Sequence, residues 1–509
     1  NTGQHGTALR ATLKENQPGG QNQNSRNALL QLSHKMSRVF VVMGHFRARM
    51  REKIRNLKGS PLVLDIFAAK TLSKNMSAAS IYEQIRNLAK MPTAQGVVTG
   101  VEGLSKAHLI WQMAQTKSVI WVVPDLDTAE EVLVDLHYFA QDKARSQILQ
   151  LPFEERTPYH ATSPDPAIVM ERSATLFKLC LGQSFQVLVL TPEALIRRHP
   201  SFDVFQDMVL WLVEGEEIDR DTLTANLIAG GYTQVSLVED VGTFAIRGSI
   251  IDIFWAGLPY PIRLDLFGDT LDRLTLFSPD NQRTVEKRDE IQIGPAREIM
   301  MTPSHCDLAI KQLRDLADDV EYPSKKLREK IHDLENRLPF FGAERLLPAF
   351  YDALNTTEEL LAHNYKSADL LWVFEDPDTL MDQLHQRASF YDSLYGETLA
   401  KNDLVFSPET WLHHFEDFDA LKHQKSHLQF KPWVTENTTE QVLTLKTQAT
   451  TDIRKEIMLQ STQADETGQN SVLKPLVKRI QKAKQRGELI FLPTHSLGGV
   501  HRYKEMLQE

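Results

Sequence analysis

From Gln95 onward the apolar residues alternate between short continuous runs and helically spaced stripes. Val97-Val98 marks a short strand, Lys106 to Ala114 a helix, and Val119 to Val123 an unbroken apolar run closed by Pro124. The next segment sets Ala129, Val132, Leu133, Leu136 and Phe139 on one face of a helix. Ile148 to Leu151 reads as a strand, Ala167 to Leu181 as a helix and Val187 to Leu190 as another buried strand, with Thr191-Pro192 starting the helix after it. Strands apolar on both faces, alternating with helices, predict a parallel sheet covered on both sides, hence an α/β fold.

The rhythm changes at FAIRGSIIDIFWAGLPYPIRLDLFGD, Phe244 to Asp269. Phe244, Ile246, Ile251 and Ile253 mark strands, and Gly248 permits a bulge or bend. The Pro259 and Pro261 loop leads into a strand from Ile262 to Phe267, and Gly268-Asp269 reads as a turn. Arg247 and Arg263 stand in these strands either as solvated residues pairing with Asp265, Asp252 or Asp269, or as anchors of an interface together with Phe267.

The loop after the first strand, TGVEGLSKAHL, is where a parallel sheet would seat a nucleotide phosphate. It is a damaged phosphate loop. The pattern G-x-x-x-x-G-K-[ST] needs glycine so that backbone N–H groups wrap the phosphate, lysine to meet its charge and a hydroxyl to hold magnesium. Gly100 and Lys106 are correctly spaced, but Ser105 replaces the second glycine and Ala107 the hydroxyl. The acidic motif that should end a later strand reads Glu375-Asp376-Pro377 after Leu370 to Phe374, the reverse of the usual Asp-Glu order. The simpler account of these acids is a strand end with helix-capping carboxylates.

A chain of 509 residues with 42% hydrophobic residues has room for three or four domains with ordinary cores. It holds no apolar run of membrane length and no signal peptide, and Cys180 and Cys306 are its two cysteines, so a reducing cytoplasm is expected. The net charge of −10 is uneven: residues 1 to 75 carry 13 Lys and Arg against 3 Asp and Glu, leaving 44 basic and 64 acidic residues downstream, a net −20. Such a body argues against a long groove that tracks phosphates. Residues 1–75, with the polar QPGGQNQNSRN and the basic FRARMREKIRNLK, read as disordered or extraneous, with Met76 as a natural start ahead of a helix from Ala78 to Leu88. At the other end, Ser471 to Lys484 reads as a helix, Leu489 to Leu492 as a strand and Val500 to Leu507 as a helix, a small α/β domain cut short. His413-His414 in WLHHFEDF lies on an expected helix with no third ligand in view, and no metal site is expected.

TGVEGLSKAHL, LPFEERTPYHATSPDP (Leu151 to Pro166), ERSATLFKL from Glu171, VLVLTPEALIRR from Val187, the arginine strands, LFSPDNQRTVE from Leu276 and RLPFFGAERLLPAFYDAL (Arg337 to Leu354) together resemble the amino-terminal part of the transcription-repair-coupling factors, from about Ala94 onward. That region of the family is similar to the excision-repair helicase UvrB. The resemblance implies a helicase-like parallel-sheet domain lacking ATPase motifs (76–207 and 296–427), an inserted small β-rich α+β domain (208–295) and a partial C-terminal α/β domain (428–509). UvrB-like chains carry a tyrosine-rich DNA clamp after the third strand; this sequence has only Tyr159 there.

In that family the insertion binds the damage-recognition ATPase UvrA, and by motif position Arg247, Arg263 and Phe267 match the contact residues. The expectation is therefore a fragment without catalytic residues or cofactor of its own, whose substitutions Arg247→Ala or Arg263→Ala weaken UvrA binding and leave the fold intact. ATP, Mg²⁺, RNA polymerase and double-stranded DNA would be engaged by a missing C-terminal motor, and a missing regulatory end would cover the UvrA face. The alternatives are a UvrB-like or other helicase subunit that binds nucleotide through Lys106 and Glu375, and an acidic α/β enzyme of unrelated chemistry.

Overall fold

Seven strands form one all-parallel sheet in the order β17-β1-β16-β15-β2-β4-β3. They are β1 (Gln95–Thr99), β2 (Ser118–Val122), β3 (Ile148–Leu151), β4 (Val187–Leu190), β15 (Leu370–Glu375), β16 (His427–Lys431) and β17 (Gln441–Thr444). The structure is a computed structural model, and it describes residues 95–153, 158–159, 163–340, 342–413, 426–434, 441–445 and 474–485. All of them lie in one unit, Ala68–Glu509.

The period of two along each central strand divides the core. Val119, Trp121, Val187, Val189, Leu371 and Val373 pack under helices Leu104–Met113 and Leu126–Ala144. Ile120, Val122, Leu188, Leu190, Trp372 and Phe374 face the opposite side and join a larger core. Asp125, Asp165 and Thr191 cap successive helices by accepting backbone N–H bonds, which is how the expected helix starts are enforced.

Between β4 and β15 the chain forms β5 (His199–Pro200), β6 (Leu210–Val213), β7 (Thr233–Gln234), β8 (Thr243–Arg247), β9 (Ile250–Phe254), β10 (Ile262–Phe267), β11 (Thr270–Phe277), β12 (Thr284–Arg288), β13 (Glu290–Ile293) and β14 (Leu354–Asn355). A six-stranded sheet runs β12-β11-β10-β9-β8-β7, antiparallel except for β7 with β8. β6 and β13 pair antiparallel, Leu210 opposite Ile293, so the strands near the two ends of this insertion lie side by side. β5 pairs with β14. Phe244, Ile251, Ile253 and Leu264 point into the same core as the parallel sheet, where Trp255 meets Phe177 edge to face at 5.3 Å.

Two expectations change. The small domain expected from 428 begins inside the first sheet, because β16 lies between β1 and β15 and β17 covers the other edge of β1. β1 buries Val97 and Val98 and needs a neighbour on each side, which its local pattern cannot name. The helix expected through WLHHFEDF ends at Trp411; Leu412 instead bridges to Arg197, and His413 N–H donates to the Ile196 carbonyl at 2.8 Å. Tyr159 is buried, donates to the Phe406 carbonyl at 3.0 Å and lies beside Tyr391 and Tyr395, a core role that leaves no face for stacking a base. The helix expected from Ser471 to Lys484 spans Lys474–Gln485. The expected helix at Ala78 to Leu88, the strand at Leu489 to Leu492, the helix at Val500 to Leu507, His414 and residues 1–75 lie outside the described residues.

Candidate functional site

The damaged phosphate loop leaves the carboxyl end of β1, the edge of a parallel sheet where ligands gather. Gly100 has φ 75°, and a Cβ there would sit 1.8 Å from the Leu445 carbonyl oxygen. That close approach follows from the Leu445 N–H donating to the Thr99 carbonyl at 2.8 Å, so Gly100 lets the chain beyond β17 lie against the loop. Lys106 reaches across the end of β16 and forms an ion pair with Glu375. Ala107 is buried with a methyl where a metal-holding hydroxyl would be, and Ser105 occupies the second glycine position in the first turn of the helix. Asp376 precedes the helix Pro377–Leu399 with φ 50°, yet its carboxylate accepts from the Thr379 hydroxyl at 2.7 Å and caps no backbone N–H. The helix-capping role expected for this acid is therefore not what it does. The loop lysine and the strand-end glutamate neutralise each other.

The insertion gathers its candidates around Asp252. β8 and β9 form a hairpin in which Arg247 faces Ile250 across a two-residue turn, Gly248 at φ 61° supplying the left-handed backbone it requires. Asp252 lies opposite Ala245 on β8 and opposite Arg263 on β10, which puts it diagonal to Arg247 on one face. Its side chain has no exposed surface. Arg263 grips it with two bonds, Nε to Oδ1 at 2.7 Å and Nη2 to Oδ2 at 2.8 Å, and Arg247 Nη2 also donates to Oδ2.

Arg263 is engaged on every side. Its Nη2 and Nη1 donate to the Gln282 side-chain oxygen and carbonyl at 2.9 and 3.3 Å, and its guanidinium lies 4.2 Å over the Phe277 ring. The bond to Asp252, set against partial burial, raises its pKa. The Arg263 fork thus already holds a carboxylate from its own strand pair. Arg247 is 39% exposed at the end of β8. Phe267, at the end of β10 and past a register shift between Asp265 and Leu266, is 83% exposed.

Arg220 was not singled out by sequence reasoning. From the first turn of helix Arg220–Ala229 its Nη1 donates to the Gly248 carbonyl at 3.0 Å and its Nη2 to the Gly268 carbonyl at 2.7 Å. One guanidinium thereby fastens the two turns beside Arg247 and Phe267. Nothing in the local pattern of EIDRDTL marks it, since the turns it meets are 28 and 48 residues away.

A family profile described as the UvrB interaction domain matches residues 210–299, the stretch from β6 past β13. The chain is 30% identical over 426 residues to the transcription-repair-coupling factor of Myxococcus xanthus, covering 81% of this chain and 34% of that protein. It is 28% identical over 271 residues to the factor of Escherichia coli, covering 52% and 23%, and 27% identical over 220 residues to that of Bacillus subtilis, covering 43% and 18%. The chain belongs to the transcription-repair-coupling factor family. It spans about a third or less of the length of these relatives. Among the described residues, no helix is long and apolar enough to cross a membrane.

Proposed function

We propose that this part of a transcription-repair-coupling factor is a recruiting module that binds UvrA through the exposed end of its inserted sheet, with Phe267 as the anchor and Arg247 as its charged neighbour. The observation that carries the reading is Phe267 itself, a large ring 83% exposed within the stretch matched by the UvrB interaction domain. Exposed aromatics flanked by arginine are the usual hot spots of protein interfaces. Arg263 supports this surface from behind through Asp252.

The parallel-sheet body is proposed as a non-catalytic scaffold. The Lys106–Glu375 pair and the buried Ala107 support that reading, because they remove the charge and the hydroxyl on which phosphate and magnesium binding depend. In the intact protein, a motor beyond this chain would use ATP and Mg²⁺, engage RNA polymerase and double-stranded DNA in the cytoplasm, and hand the lesion to UvrA. Calorimetry of purified UvrA with wild type and Phe267→Ala tests the interface, and equal affinities would remove it. ATP titration tests the scaffold: micromolar binding that disappears in Lys106→Ala would favour the nucleotide-binding alternative.

A further inference from the structure

Against helix Pro166–Cys180, and lined by none of Phe267, Lys106 and Glu375, lies a cavity of about 60 Å³ whose charged residues are Arg172, Arg197, Arg297, Arg345, Glu298 and Glu344. Arg172 is the deepest, with its side chain 1% exposed. Its Nε donates to Glu298 Oε1 at 3.0 Å and its Nη1 to the Pro152 carbonyl at 3.1 Å, while its buried Nη2 has no hydrogen-bond partner. Arg197 shares the same Glu298 oxygen at 3.3 Å. Arg345 Nη2 is held by Asp403 at 3.1 Å and its buried Nε has no partner. Arg297 pairs with Glu344 at 3.4 Å. Glu298 Oε2 and Glu344 Oε2 are likewise buried and without a hydrogen-bond partner.

Two donors and two acceptors are thus left over on residues that line the cavity, each a buried polar atom whose hydrogen bond is unmade. Among the described residues the arginines outnumber the carboxylates even when Asp403, outside the wall, is included: four against three. Burial, outweighing the pull of Glu298, lowers the Arg172 pKa to about 10. The rest of the wall is largely apolar, with Ile299, Leu347 and Trp411 on it. By the measure that gives one water about 15 Å³, the space takes roughly four waters, comparable to a tetrahedral oxyanion.

We propose that this cavity is a binding site for a protonated phosphate group, as inorganic phosphate or the head of a phosphate monoester. Unprotonated oxygens of such a group accept from Arg172 Nη2 and Arg345 Nε, and its P–OH donates to Glu298 or Glu344. Sulfate at neutral pH has no proton to give and meets these carboxylates as a like charge, so the site selects phosphate over sulfate.

The test uses the full chain at fixed ionic strength, following melting temperature and ³¹P line width while inorganic phosphate, O-phosphoserine or sulfate is added. Saturable stabilisation and broadening by a phosphate probe are expected, with sulfate at least tenfold weaker; the tighter of the two phosphate probes identifies the source. Arg345→Gln should weaken phosphate at least tenfold, and Glu344→Gln should bring sulfate within about threefold of phosphate. Both changes sit at the cavity's more exposed side, so they spare the fully buried Arg172–Glu298 pair. Stabilisation by neither phosphate probe beyond matched chloride, equal effects of phosphate and sulfate on wild type, or undiminished binding in Arg345→Gln would each overturn the proposal and leave a cavity filled by water.

Discussion

Asp252 has no exposed surface, and two guanidinium groups hold its charge. Removing Arg263 takes away two of the three arginine bonds to this buried carboxylate and leaves it on Arg247 alone, at a cost of up to about 3 kcal/mol. Arg263→Ala is therefore expected to lower the melting temperature by several degrees, contrary to the sequence expectation of an intact fold. Arg247→Ala, at a half-exposed position, should cost no more than about 1 kcal/mol. A wild-type melting curve for Arg263→Ala would show that Asp252 does not depend on it. Loss of UvrA binding in Arg263→Ala then mixes folding with recognition, whereas Phe267→Ala isolates recognition. For Phe267→Ala the expected loss is about 2 kcal/mol, roughly thirtyfold in Kd, with an unchanged melting temperature. The arginines and Phe267 were legible because charged and aromatic residues break an alternating strand. What the sequence could not decide among Asp252, Asp265 and Asp269 was the acceptor, since that depends on which residues the register places opposite each other.

At the scale of elements, the two hairpin turns depend on a helix that is remote in sequence. Arg220→Ala frees the Gly248 and Gly268 carbonyls, so amide exchange in both turns should quicken and UvrA affinity fall a fewfold with the global melting temperature nearly unchanged. Unaltered exchange at both turns would show that they hold their shape alone. The short ladder of β5 and β14 carries a pH signature. Burial pushes His199 down to about 4, and its Nδ1 lies 2.8 Å from the Pro200 carbonyl, to which it donates as the neutral ring. The unfolded chain takes up this proton near pH 6.5, so the contribution is complete above that value and fades as pH falls toward 4, reaching about 3 kcal/mol of lost stability. His137, lowered to about 4 by burial and then by Arg145, acts in the same direction. His199→Gln should flatten part of this slope in urea melts at pH 4.5 to 7, and an unchanged slope would place the titration elsewhere. Strand limits were readable because apolar runs and capping residues are local, as at Thr191-Pro192. The neighbours of β1 were not, because β16 and β17 come from more than 300 residues away.

Over the whole molecule, the insertion and the parallel sheet share one apolar core, and Gly294 lies so close to Phe177 that a Cβ there would sit 2.4 Å from its ring. The two should unfold together, giving one calorimetric transition for this region. A separate low-temperature transition that is lost on deleting the insertion would contradict this. The α/β class and the ordered family motifs were visible from sequence because they repeat a local rule. The Arg172–Glu298 network was not, its members lying 126 residues apart with no pattern linking them.

The pairing of β6 with β13 also sets how the insertion bears load. The strands near its two ends run side by side in opposite directions, joined from Leu210–Ile293 to Val213–Glu290. A partner pulling on the far end of the six-stranded sheet draws both strands the same way, so the tension is divided between them and neither slides past the other. The ladder can be opened only by peeling the strands apart, and the shared core beneath resists that motion. Gripped at the Phe267 end, the insertion acts as a stiff handle, able to pass a pull on that end into the parallel sheet without first unravelling.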